Sequence, residues 1–260
     1  MDSATLTVTD GLAVLTLNRP QAANALDLSL KTALLDGVRA IAADDTVRAV
    51  LIRAEGRNFC VGQDLGEHAD ALSLSPERAM GTVAEHYNPL IAGITALEVP
   101  VVAAVQGACV GAGLGLALAA DVVVAAEGAT FATAFTAIGL ASDSGLTRSL
   151  IDAIGAVRTR AFLLLGDRIT AAQALDWGLI AQVAPDGEAA ATAEAVARQL
   201  AAGPTAAFAA AKSLIAASLP PLDEALERER AAAGPLAGTA DHRGAVEAFL
   251  AKRRPEFTGR

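Results

Sequence analysis

Val101-Val102-Ala103-Ala104-Val105-Gln106-Gly107-Ala108-Cys109-Val110-Gly111-Ala112-Gly113-Leu114-Gly115 carries the pattern on which the fold turns. Its first five residues are a continuous run of valine and alanine, the mark of a strand buried on both faces. The glycine-rich part reads as a turn into a helix running through Ala119, and Val122 to Ala125 as another buried strand. A helix N-terminus leaves unpaired N–H donors and a positive dipole end, suited to an oxyanion. A dinucleotide loop fails on spacing, because Gly111 and Gly113 would need glycine at 116, where Leu116 stands. Small residues here also suit close helix packing, and that is compatible with an amide donor.

Towards the N-terminus, Thr5 to Thr9 and Leu12 to Leu17 alternate around Asp10-Gly11, a hairpin signal. Asp27 is placed to cap a helix whose Leu30, Leu34, Leu35, Val38 and Ile41 fall at helical spacing. Ala49 to Ala54 is a short strand, Arg57 to Leu65 an irregular loop, and Pro76 to Leu97 a helix with proline in its first turn. The loop predicted between Gly66 and Glu85 is assigned to the acyl pocket. Its His68, Glu85 and the adjacent His86 are read as solvated-face residues.

Towards the C-terminus, Ser142 to Gly145 is a turn opening a helix. Helices follow over Val157 to Leu165 and Ala171 to Trp177, then a strand at Gln182-Val183-Ala184. Beyond that the pattern is helical throughout: Glu188 to Ala202, Thr205 to Ala217, Leu222 to Ala232 and Thr239 to Ala251. Strands alternating with helices before a helical tail predict an α/β fold: a core over 1–200 and a C-terminal helical module over 201–260.

Composition narrows the function. The formal charge is −9, which argues against nucleic acid or an anionic membrane as partner. Val99 to Ala126 is the most apolar stretch, but Pro100, four glycines and Asp121 interrupt it, so it reads as core and not as a membrane span. Cys60 and Cys109 sit in apolar surroundings and read as buried thiols, consistent with a cytoplasmic protein. Three separated histidines, without CxxC or HExxH, predict no protein-built metal site.

Two further segments put small residues where backbone would face a ligand. In Asn58-Phe59-Cys60-Val61-Gly62-Gln63-Asp64-Leu65, Gly62 lets the chain turn sharply and expose the next N–H; an ordinary strand-to-helix loop reads equally well. In Ile138-Gly139-Leu140-Ala141-Ser142-Asp143-Ser144-Gly145, Asp143 is either a helix N-cap or an acid/base group. Ser144 is no nucleophile elbow, because GxSxG is not satisfied.

Together these segments resemble the crotonase (enoyl-CoA hydratase/isomerase) superfamily across essentially the whole chain. Leu17-Asn18-Arg19-Pro20, Asn24-Ala25-Leu26, Phe59 to Leu65, Val105 to Gly113, Trp177-Gly178-Leu179 and Ala248 to Arg253 carry the resemblance by their order and spacing. It implies a spiral of ββα turns, a C-terminal trimerisation module, and trimers that can stack as hexamers. It implies an acyl-CoA substrate, with coenzyme A part of the substrate and no separate cofactor. The N–H groups of Gln63 and Ala112 would form an oxyanion hole that stabilises an enolate. Ala25, Asp64, Phe249 and Lys252 would contact CoA, the last two reaching a neighbouring protomer. Val246, Phe249 and Leu250 share one face of that last helix, and Lys252-Arg253-Arg254 is the densest basic run.

Hydratases of this family resemble one another in two glutamates, which would fall at Gly115 and Phe135 here. Neither residue can move a proton. Asp143 instead stands where 1,2-epoxyphenylacetyl-CoA isomerases and aryl-CoA dehalogenases carry an aspartate, with more of the surrounding sequence similar to the isomerases. Ser142 and Leu146-Thr147-Arg148 depart from that pattern. The expected activity is thioester isomerisation, of a ring epoxide or a double bond, with Asp143 as acid/base. Weak hydration, an Asp143 nucleophile in dehalogenation or thioester hydrolysis, and a silent acyl-CoA binder remain as alternatives.

Overall fold

A computed structural model describes residues 2–216 and 239–259. The hairpin forms as read: β1 (Ala4–Thr9) pairs antiparallel with β2 (Leu12–Leu17), and Asp10 and Gly11 both take positive φ in the two-residue turn. Asp27 accepts from Leu30 N–H at 2.9 Å and starts α1 (Leu28–Ala42), which buries Leu30, Leu34, Leu35, Val38 and Ile41. All other pairings in the main sheet are parallel. β2 joins β3 (Ala49–Ala54), then β4 (Val101–Val105), β6 (Val122–Ala126) and β9 (Gln182–Ala184). Every β4 residue is fully buried, as its apolar run requires.

A second, smaller layer gives the spiral. β4 is followed at once by β5 (Ala108–Val110), and β6 by β7 (Thr130–Ala132), with β5 parallel to β7. β3 is followed in the same way by the loop holding Cys60, which bridges in parallel to Cys109. Three successive turns of chain thus lay one long strand in the first sheet and one short segment in the second. β8 (Ile169–Thr170) closes the small sheet antiparallel to β7. These short strands were not visible in the sequence, since two or three residues carry no period.

The segment between Gly66 and Glu85, expected as a loop up to the helix predicted from Pro76, is helical throughout its first part as well. Asp64 caps α2 (Leu65–Leu74) and Ser75 caps α3 (Pro76–Thr82). α2 buries none of its residues, so no apolar stripe announced it. The helix expected from Pro76 to Leu97 is interrupted by a π-turn, Val83–Tyr87, before α4 (Asn88–Ala96). Pro89 has no N–H and would clash with the carbonyl four residues back, and the wider turn precedes it. β5 leads into α5 (Ala112–Leu118). Further on, α6 (Leu146–Leu165) starts well before Val157 and is broken at Gly155, whose φ is +73°.

α7 (Ala171–Asp176) leads to β9, and α8 (Ala189–Ala201) packs across β3, β4 and β6. α9 (Thr205–Ala216) and α10 (Ala240–Leu250) complete the described helices; the helix expected over Leu222 to Ala232 lies outside the described residues. The C-terminal tail folds back on the core. Asp241 accepts from the N–H groups of Thr258 and Gly259, and Arg48 reaches the carbonyls of Gly203 and Phe257. Among the described residues no helix is long and apolar enough to cross a membrane.

Candidate active site

The loop after β3 is fixed before it reaches Gln63. Asn24, fully buried, donates to the carbonyls of Glu55 and Asn58 at 2.9 and 2.8 Å. Leu26 N–H bonds the carbonyl of Gly62, and Asp64 N–H returns to the carbonyl of Leu26. That pairing straddles Gln63 and leaves its N–H out. Gly62, at φ +86°, abuts the start of α5: a Cβ there would lie 2.9 Å from the Val110 carbonyl oxygen and 3.4 Å from Ala112 N. Gly111 turns the chain at φ +58° so that Ala112 opens α5. Among the described residues, neither Gln63 N–H nor Ala112 N–H has a hydrogen-bond acceptor. Both residues line one cavity.

Asp143 lines the same cavity, with Val61, Leu65, Val83, Phe135 and Leu140 among its apolar walls. Its carboxylate is partly buried. Burial pushes its pKa above the carboxylate value of 3.8, against a lowering hydrogen bond from Ser144 Oγ at 2.7 Å. The N-cap reading of this residue does not hold: the capping position of α6 is Gly145, with no side-chain cap, and Asp143 contributes only its carbonyl, to Leu146 N–H. Phe135 is buried in the cavity wall, and Gly115 packs beneath Ser144. Close helix packing through small residues also holds, since a Cβ at Gly113 would come 2.5 Å from the carbonyl oxygen of Cys60.

A polar chain flanks the site. Tyr87, the chain's only tyrosine, donates its hydroxyl to Gln63 Oε1, and Gln63 Nε2 donates to Glu67 Oε1 at 3.3 Å. Glu67 also accepts from Lys31 Nζ at 2.6 Å, and Lys31, with its side chain 1% exposed, donates to Thr82. Burial works against ionisation of Glu67, but its bonds from Lys31, Leu28 N–H and Gln63 outweigh this and hold its pKa below 4.5. Burial and the nearby Asp143 push the Tyr87 phenol upward, so it stays a neutral donor. Nothing in the sequence joined these residues, although a lone tyrosine was a usable signal. His68 also lines the cavity and is half-buried, and His86 meets Thr82; of the three residues read as solvated, only Glu85 is exposed.

Of the four expected CoA contacts, Ala25 and Asp64 lie together, the carbonyl of one and the carboxylate of the other both accepting from Arg19 Nη1. Ala25 is buried beside the Leu26–Gln63 pairing. Asp64 already accepts from Gly66 and Glu67 N–H and from Arg19 at 2.7 Å; Arg19 chiefly holds its pKa low. Lys252 is exposed at φ +53° just beyond α10, and the Phe249 side chain lies outside the described residues.

A carboxylate and two free amides in an apolar cleft of a two-layer ββα spiral define a crotonase-fold acyl-CoA-processing enzyme, and the chain belongs to the enoyl-CoA hydratase/isomerase family, whose model matches residues 7–260. The 1,2-epoxyphenylacetyl-CoA isomerase of Escherichia coli K12 is 40% identical, covering 97% of both chains. A probable enoyl-CoA hydratase of Rhodobacter capsulatus is 44% identical over 97% of this chain and 96% of its own. The crystal structure of a Mycobacterium abscessus protein, provisionally described as an enoyl-CoA hydratase/isomerase, superposes with a TM-score of 0.97 at 52% identity, covering 99% and 100%.

Proposed function

We propose that the protein is an acyl-CoA thioester isomerase. Asp143 removes a proton from the carbon next to the thioester, or from a γ-carbon, and returns it elsewhere in the acyl group. The N–H groups of Gln63 and Ala112 hold the enolate oxygen that forms in between. Each such donor is worth about 3 kcal/mol in the transition state. The observation that carries the reading is Asp143, the one carboxylate among the described residues that line the cleft holding both unpartnered amides. The family resemblance would put the two hydratase glutamates at Gly115 and Phe135. Desolvation brings that carboxylate towards the range of a general base. Likeness to an epoxyphenylacetyl-CoA isomerase supports ring-epoxide chemistry; likeness to a probable hydratase makes hydration the competing activity.

CoA would lie across Ala25 and Asp64, with Phe249 and Lys252 reaching it from a neighbouring subunit of a trimer. The test is a screen of aromatic and straight-chain acyl-CoA esters, with isomerisation and hydration followed separately in wild type and Asp143→Asn. Isomerisation lost in the variant, with CoA-ester binding kept, is the expected result. Dominant hydration, or an acyl-aspartyl adduct seen by mass spectrometry, would overturn it.

A further inference from the structure

The second turn of α5 touches the Asp143 turn at a point where no side chain fits. An ideal Cβ at Gly115 would lie 2.6 Å from Ser144 Cβ and 2.8 Å from the Ser144 carbonyl oxygen. The carbonyl contact is with backbone, so no rotamer change relieves it. Ser144 cannot readily retreat either. It is 2% exposed, its φ is +53°, and two residues beyond it stands Leu146, fully buried, whose N–H is bonded to the Asp143 carbonyl at 3.0 Å. The Ser144 hydroxyl in turn holds Asp143 Oδ1. Gly113, two residues earlier in α5, meets the Cys60 loop instead, so the two glycines seat different arms of the site.

From this contact we propose that Gly115 is a positioning residue for Asp143. In this chain a side chain at position 115 and the 143–145 turn as it stands cannot coexist without a shift of one of them. The inference rests on Asp143 as the acid/base group. It gives the glycine at position 115 a steric role in this chain, beyond the loss of a proton-transfer group there. Gly115→Glu should therefore destroy isomerase chemistry without creating a hydratase. A displacement of about 1 Å at a reacting group costs about a hundredfold in rate.

The test uses the full chain and, as probe, deuterium exchange at the carbon next to the thioester of phenylacetyl-CoA, alongside crystal structures of the variants. Gly115→Ala should lower the exchange rate about a hundredfold with the apparent KM within about threefold. Its acid limb should move towards the ordinary carboxylate range as Asp143 becomes more solvated. Ser144→Gly removes one of the two clashing atoms, so Gly115→Ala should cost less in that background than alone; strictly additive losses would overturn the proposal. Gly37→Ala, whose Cβ would press on Leu15 Cδ1 at 2.7 Å, reports general destabilisation and should leave the acid limb in place. A Gly115→Ala crystal structure with Ser144 and Asp143 unmoved would overturn the proposal whatever the activity. Should Asp143→Asn keep full exchange, the acid/base assignment falls instead, and the structural result still judges Gly115.

Discussion

Ser144 donates its hydroxyl to Oδ1 of Asp143 at 2.7 Å, from a backbone at φ +53° that a side-chain-bearing residue seldom adopts. The turn therefore holds a left-handed serine beside a partly desolvated carboxylate. Both features cost stability, and the turn places the Asp143 carboxylate in the cleft.

Asp143→Asn should lose about two to four orders of magnitude in kcat while CoA-ester binding survives. It should also melt higher than wild type at pH 7. The folded pKa lies above the unfolded value of 3.8, so the native state binds the extra proton and stability falls as pH rises through that window. The gain should shrink below about pH 4, where both states are protonated. Thermal melts across pH check this; an unchanged melting temperature at pH 7 would contradict it.

Crotonyl-CoA should be hydrated poorly, because Gly115 and Phe135 stand where two proton-transfer groups are needed. The expected deficit against an efficient hydratase is about two to four orders of magnitude. Steady-state hydration assays decide the point.

Gln63→Pro should cost about two to three orders of magnitude in kcat by deleting one N–H donor. Gln63→Ala keeps that donor but strands the Tyr87 hydroxyl and one bond to Glu67, a loss of about 1 kcal/mol or roughly fivefold to tenfold. Equal losses in the two variants would mean that the side chain carries the role.

Lys31→Met should destabilise the fold by about 2 kcal/mol at pH 7, leaving Glu67 half-buried without its cation. Glu67 has a folded pKa below 4.5, so wild type holds this stability above that value and loses it as pH falls through the folded pKa. The gap between the two proteins should close in acid, and denaturant titrations at pH 7 and about pH 3.5 will measure it.

Lys252→Glu should weaken CoA-ester binding in a salt-dependent way with the melting temperature unchanged, since Lys252 is exposed. Deleting residues from Ala245 onward should impair assembly and binding together. A truncated chain that remains trimeric and binds as tightly would exclude a site shared between subunits.

Sequence alone determined whatever depends on neighbours in the chain. The Asp27 cap, the Asp10-Gly11 turn and the fully buried Val101–Val105 strand each follow from local geometry or from an unbroken apolar run. Gly62 and Gly111, each carrying positive φ, were legible for the same reason, whereas the missing hydratase glutamates were inferred through the resemblance to a family. Tertiary structure decided the rest. The short strands β5 and β7 exist through partners some twenty residues apart, and α2 buries no residue that could betray it. The choice for Asp143 between helix cap and cavity wall rested on where α6 begins. Lys31, Glu67, Gln63 and Tyr87 form one chain of hydrogen bonds only because three helices and a loop converge. The Gly115–Ser144 contact is of the same kind. Periodicity reports a residue's own helix or strand; a close approach between two backbones is set by packing of the whole chain.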